Sequence, residues 1–176
     1  MAQNYILLET IELTQSAASV TFDNLPASGY TDLKVVVSSR TDAAVVGKTL
    51  EITFNNSTSS RTSRRLIGSG TAASSASFAS NLYAGGIPGS SATASTFGNN
   101  LIYIPNYAGA TNKSYSADGV SENNATEAYA QLYAGLWSDT AAITSIQILP
   151  ATPGSFVQYS TFSLYGVAAD GTTPVT

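Results

Sequence analysis

The sequence predicts an all-β fold, an antiparallel β-sandwich of jelly-roll type, filling residues 1–176 as one domain. Three observations lead there. Short runs of strand-forming residues recur along the chain and are cut by Gly, Asn, Asp, Ser and Pro clusters, the pattern of a sandwich or barrel. Charged residues make up only 10% of the chain, against a usual share of about 25%, so solubility rests on neutral polar groups. Ser, Thr and Asn together supply about a third of it, which favours short strands and hydroxyl-rich turns over helices held by charged pairs. A chain of 176 residues buries roughly 70% of its unfolded surface, enough for a real core.

About nine runs read as strands. Tyr5 to Leu13 opens the chain and Ser19 to Phe22 follows, with Asp23, Asn24, Leu25 and Pro26 forming a turn before the run from Asp32 to Arg40. In that third run Leu33, Val35 and Val37 share one face, because side chains alternate along a strand. Leu50 to Phe54, a stretch near Ser63 to Ile67, Leu101 to Ile104 closed by Pro105, and Lys113 to Ala117 continue the series. Ile143 to Leu149 then puts Ile146 and Ile148 on one face, and Tyr159 to Val167 puts Phe162 and Leu164 together. The segment Tyr129 to Trp137 matches two patterns. Its aromatics Tyr129, Tyr133 and Trp137 recur as on a helix face, yet with Gln131 and Gly135 they also line one face of a strand. The interior Gly135 and the Ser-Asp-Thr turn that follows favour the strand.

Two stretches rich in small residues, Gly68 to Ser80 and Gly85 to Gly89, read as long loops. Ser38-Ser39-Arg40-Thr41 recurs as Ser59-Ser60-Arg61-Thr62, and Leu82-Tyr83-Ala84-Gly85 as Leu132-Tyr133-Ala134-Gly135. In so biased a composition these short matches mark neither an internal repeat nor a domain boundary.

Histidine and cysteine are both absent. That removes the Ser-His-Asp triad, thiolate and His-containing zinc sites, cysteine nucleophiles and any disulfide framework. A net charge of −4 with only seven cations leaves no dense basic face for nucleic acid. The apolar stretch Tyr5 to Leu8 is far shorter than a signal-peptide core or a membrane span, and no cation precedes Lys34. A soluble product made in the cytoplasm, with no membrane partner, is therefore expected. Gly47-Lys48-Thr49 resembles the end of a phosphate-binding loop, but Asp42 stands where that motif needs its first glycine. Gly68-Ser69-Gly70 lacks the third glycine of a dinucleotide fingerprint, since Ala73 occupies that place. These absences point to a non-enzymatic protein with no cofactor and no metal.

Among polar residues, Arg61, Arg64 and Arg65 form the most conspicuous cluster. They read either as a solvated strand edge, where charge discourages unwanted pairing, or as a contact with a carboxylate-rich partner. In a strand Arg64 and Arg65 point to opposite faces, so one of them together with Arg61 is expected at that contact. Asp118, Glu122 and Glu127 read as decoration of a solvated loop. They also leave open a glycosidase-like carboxylate pair or a calcium site, although their spacing matches no EF-hand. The tyrosines Tyr103, Tyr107, Tyr115, Tyr129 and Tyr133 read mostly as core rims, with some available for stacking. Sequons at Asn55, Asn56, Asn112 and Asn124 follow from the Asn- and Ser-rich composition.

The C-terminal third carries the pattern Gly135-Leu136-Trp137, then Thr140-Ala141-Ala142-Ile143-Thr144-Ser145-Ile146, then Phe156, and finally Phe162-Ser163-Leu164-Tyr165-Gly166-Val167. This resembles the ending of small jelly-roll virion proteins of tailed bacteriophages, particularly phages of marine bacteria and cyanobacteria. Thr31 to Arg40 and Arg61 to Leu66 resemble the same group. The shared motifs are packing motifs, and such domains occur in head decorations, tail fibres and adaptors alike. The resemblance implies a structural protein located in the virion after synthesis in the host cytoplasm. A capsid decoration or cement protein is expected, binding the major capsid protein or other virion proteins as a homo-oligomer, a trimer foremost. The alternative is a tail or fibre receptor-binding module that stacks host surface glycans on Tyr107, Tyr133 and Trp137. No heptads or shaft segment accompany the domain, which weighs toward decoration.

Overall fold

A computed structural model describes residues 4–122, 124, 128–151 and 153–168. Most strands form where an apolar residue can face inward at every second position. In chain order they are β1 (Tyr5–Glu12), β2 (Val20–Phe22), β3 (Tyr30–Ser39), β4 (Gly47–Phe54), β5 (Arg61–Gly68) and β6 (Ala73–Phe78). The second half contributes β7 (Leu82–Pro88), β8 (Gly98–Ile104), β9 (Lys113–Ser121), β10 (Tyr129–Trp137), β11 (Ile146–Pro150) and β12 (Thr161–Ala168). Among the described residues there is no helix. The strands make two antiparallel sheets, an eight-stranded one in the order β1-β12-β3-β8-β9-β10-β5-β6 and a four-stranded one in the order β2-β11-β4-β7. The expected all-β sandwich is therefore present.

The core lies between the sheets. Leu33, Val35 and Val37 of β3, Ile102 and Ile104 of β8 and Phe162 and Leu164 of β12 face Phe22, Leu50, Ile52, Phe54, Ile146 and Ile148 of the smaller sheet, and all are buried. Burying one such side chain stabilises the fold by roughly 1.5–3 kcal/mol. Segment Tyr129–Trp137 is strand β10, paired with β9 on one side and β5 on the other. Its Gly135 leaves room for the Tyr115 ring, which a Cβ there would meet at 2.0 Å.

Both stretches expected as loops contain strands. Gly85 and Gly86 lie within β7, whose residues are almost all buried. They are glycine because the sheets approach too closely for a side chain: a Cβ on Gly85 would meet Asn100 Oδ1 at 1.8 Å, and one on Gly86 would meet Gln131 Nε2 at 2.1 Å. The Gly68 to Ser80 stretch turns tightly at Gly70, with φ +85°, and returns as β6. A run of Ala and Ser ending in Phe78 gave β6 no hydrophobic period to read, and pairing with β5 decides its structure.

Arg40 and Lys113 hold the loops. The Arg40 guanidinium donates to the carbonyls of Ser90, Ala92, Thr93 and Thr96 at 2.7–3.5 Å, ordering the connection from β7 to β8. Fully buried Lys113 donates from Nζ to the carbonyls of Gly109 and Thr111 at 2.6 and 2.5 Å, and burial lowers its pKa.

Candidate functional site

The outward face of the larger sheet is where the chain departs most from a simple sandwich. Cross-strand partners share a face, so the pairing register traces one outward row: Val36 of β3, Leu101 of β8, Asp118 of β9, Leu132 of β10, Leu66 of β5 and Ser75 of β6. Leu66 and Leu132 are 52% and 56% exposed although they stand directly opposite each other. One position along, Val120 faces Ala130 and is also exposed. All of these but Ser75 line an open groove of about 640 Å³. An exposed apolar patch of this kind usually marks an interaction site. Asp118 is the acid in its lining.

The three arginines lie beside this groove on β5 but divide between the two faces. Arg64 points outward, next to Ala134 and Ser77, and its Nη1 donates to the Ser63 carbonyl at 3.1 Å. Arg65 points inward, its guanidinium 5.6 Å from the centre of the Phe78 ring. Arg61 also points inward and is buried, which removes it from any partner contact on the protein's surface. Its Nη1 pairs with Glu51 Oε1 at 3.3 Å, and the same carboxylate oxygen accepts from Asn81 Nδ2 at 3.0 Å. Sequence neighbourhood offered Arg61 no acid, but the sandwich brings β4 across to supply Glu51. Arg64 is the one member of the cluster that combines outward direction with exposure.

Tyr107, Tyr133 and Trp137, the expected glycan-stacking residues, are 1%, 3% and 2% exposed. Their rings are therefore not available to a sugar. The Tyr107 hydroxyl donates to the Pro26 carbonyl, and the Tyr133 hydroxyl donates to Gln131 Oε1 at 2.6 Å. Trp137 packs 5.9 Å from the Phe54 ring. Burial raises the phenol pKa of both tyrosines, while Arg65 beside Tyr133 partly opposes the rise there. Tyr133 and Trp137 point inward from β10 toward the smaller sheet, and Tyr107 is buried from the connection between β8 and β9.

Asp118 lies on the outward row, Glu122 accepts the Asn124 backbone N–H at 2.7 Å, and Glu127 lies outside the described residues. Among the described residues no group of three or more His, Cys, Asp or Glu side chains converges as metal ligands would. Asn55 is a structural residue, its Oδ1 accepting from the backbone of Thr144 and Ser145 and its Nδ2 donating to the Ala142 carbonyl.

Sequence reading missed Leu66, Leu132 and Val120 as site residues. One signal was available. In β10, Leu132 and Leu136 alternate with Tyr133 and Trp137, so both faces of the strand are apolar although only one faces the core. No protein-family model matches the chain, and no curated protein matches its sequence.

Proposed function

We propose that this chain is a non-enzymatic virion structural protein of a tailed bacteriophage, a capsid decoration or cement protein that binds the major capsid protein in many copies as a homo-oligomer. The observation that carries the reading is the exposed apolar groove through Leu66, Leu132 and Val120 with Arg64 at its side. An apolar strip with an adjoining guanidinium fits a protein surface, where buried apolar contact supplies affinity and arginine pairs with carboxylates.

Strand connectivity supports the jelly-roll part of the proposal. The orders β1-β12-β3-β8 and β2-β11-β4-β7 interleave so that the paths of β1 to β4, β7 to β8 and β11 to β12 step between sheets as in an eight-stranded jelly roll. The hairpins β5–β6 and β9–β10 are then additions that widen one sheet. Groove, Arg64 and sheet rim all belong to that widened wing or its junction with β3 and β8. The resembling C-terminal residues act as packing residues, with Phe162 and Leu164 in the core and Gly166 against the Tyr30 ring.

The receptor-binding alternative has lost its stacking residues to the core, and no other observation favours it. Electron microscopy of intact particles tests the proposal, with regular copies over the head as the expected result. Leu132→Asp is expected to strip the protein from the head while leaving it folded. A single ring of copies at the tail, or unchanged head occupancy by the variant, overturns it.

A further inference from the structure

We propose that β6 is the edge through which two copies of this chain join, pairing antiparallel with its own counterpart so that the larger sheets become continuous. The inference rests on the reading of a multi-copy assembly protein and names the contact between copies. A sheet edge presents backbone N–H and C=O groups with no strand beside them, and proteins normally blunt such edges with charge, proline, bulges or brevity.

Among the described residues, three of the four sheet edges are blunted. β1 carries Glu9 and Glu12, and its ladder with β12 is broken by a register shift between Leu7 and Glu9. β2 is three residues long. β7 ends at Pro88, and its ladder with β4 shifts between Leu50 and Glu51. β6 has none of these devices. Its six residues, Ala73-Ser74-Ser75-Ala76-Ser77-Phe78, include no charge and no proline, and they pair with β5 in unbroken register. It occupies the end position of the larger sheet, and most of its residues are exposed.

A second copy is the occupant these features select. Small uncharged side chains let an identical strand approach without like charges meeting, and facing serines can hydrogen-bond across the ladder. A two-fold contact needs one self-complementary edge, whereas a ring needs two different ones, and among the described residues only one edge is open. The contact therefore gives a dimer rather than a trimer. A two-fold axis perpendicular to the sheet keeps the outward face outward, so facing residues must lie on the same face of β6. The register centred on Ser75 meets that condition, placing Ser75 against Ser75 of the second copy, Ala73 against Ser77 and Ser74 against Ala76. The outward row Leu132, Leu66, Ser75 then runs on into the matching row of the second copy, joining two grooves into one surface.

The chain has no cysteine, so Ser75→Cys introduces a single thiol. Facing Cα atoms in an antiparallel ladder lie about 4.5–5.5 Å apart, within the disulfide range of about 4.4–6.8 Å. Mild oxidation of the full chain is expected to convert Ser75→Cys to a covalent dimer while Ser114→Cys, outward on β9, stays monomeric on a denaturing gel. Ser75→Lys, which sets like charges opposite each other at an exposed position, is expected to halve the mass seen by sedimentation with circular dichroism unchanged. A monomeric parent, equal cross-linking of the two cysteine variants, or a Ser75→Lys protein of parental mass overturns the proposal. Because these readouts are taken in solution, they are independent of head occupancy: a dimer that fails to bind particles counts against the shell reading alone.

Discussion

Asn100 of β8 pairs with the backbone of Gly86 in β7 in both directions, accepting the Gly86 N–H on Oδ1 at 3.1 Å and donating from Nδ2 to the Gly86 carbonyl at 3.1 Å. A side-chain amide thus does the work of a neighbouring strand and ties the two sheets together. The fit depends on glycine at Gly85 and Gly119, where a Cβ would meet Asn100 Oδ1 at 1.8 and 2.0 Å.

Asn100→Ala leaves both Gly86 groups buried and unpaired. A single buried group left unsatisfied costs about 1–3 kcal/mol, so the variant is expected to lose about 3 kcal/mol. Urea denaturation checks this as a lower midpoint at unchanged slope. A loss below about 0.5 kcal/mol would place the tie elsewhere, in the range of ordinary surface changes.

Arg61 and Arg64 are expected to separate cleanly. Arg61→Ala strands Glu51 in a site where its side chain is only 13% exposed, and breaking a buried pair typically costs about 3–5 kcal/mol. Arg64→Ala changes an exposed residue and is expected to shift stability by less than about 0.5 kcal/mol while lowering occupancy on particles. Thermal melting and particle binding, measured on both variants, distinguish the two roles.

Five phenols are held protonated by the fold. Burial raises Tyr83, Tyr107, Tyr115 and Tyr133, and a hydrogen bond to Asp32 is the chief cause holding Tyr103 up at about 12. Folding raises these values above the ordinary one near 10, so the folded state binds protons more tightly than the unfolded chain. Their contribution to stability is complete below about pH 10 and is lost as pH climbs through about 12 for Tyr103. Alkaline titration followed by phenolate absorbance is expected to show these groups ionising late, together with loss of the β-sheet circular dichroism signal. Ionisation of all ten tyrosines in one early step, with the fold intact, would contradict it.

Trp137, the single tryptophan, is buried against Phe54. Its fluorescence is expected to resist quenching by acrylamide in the folded protein and to stay unchanged when host glycans are added. Ready quenching, or a glycan-dependent shift, would return this residue to the surface.

Much of the sandwich was legible because burial on one face imposes a period of two. Val35 and Val37, Ile146 and Ile148, and Phe162 and Leu164 all face the core as their spacing requires. The opposite directions of Arg64 and Arg65 were legible for the same reason. β6 and β7 were not, since Ser, Ala and Gly carry no apolar period and become strands through neighbours distant in sequence. Arg61 shows the same limit in the site: its acid, Glu51, arrives on β4 only when the sheets pack.

The tetrapeptide Leu-Tyr-Ala-Gly occurs twice, and the two copies divide what the chain determined alone from what the tertiary structure decided. Both copies lie in strands, β7 and β10. Yet Leu82 is fully buried while Leu132 stands exposed, and Tyr83 is partly exposed while Tyr133 is buried. Alternation fixes that neighbours point to opposite faces, a local property of the backbone. Which face becomes the core depends on where the second sheet lies, and that is set by pairing among strands far apart in the chain. The all-β class, the alternation and the absence of histidine and cysteine chemistry were therefore written in the sequence. The outward groove, the buried aromatics and the open edge at β6 came into being only when two sheets of unequal width packed together.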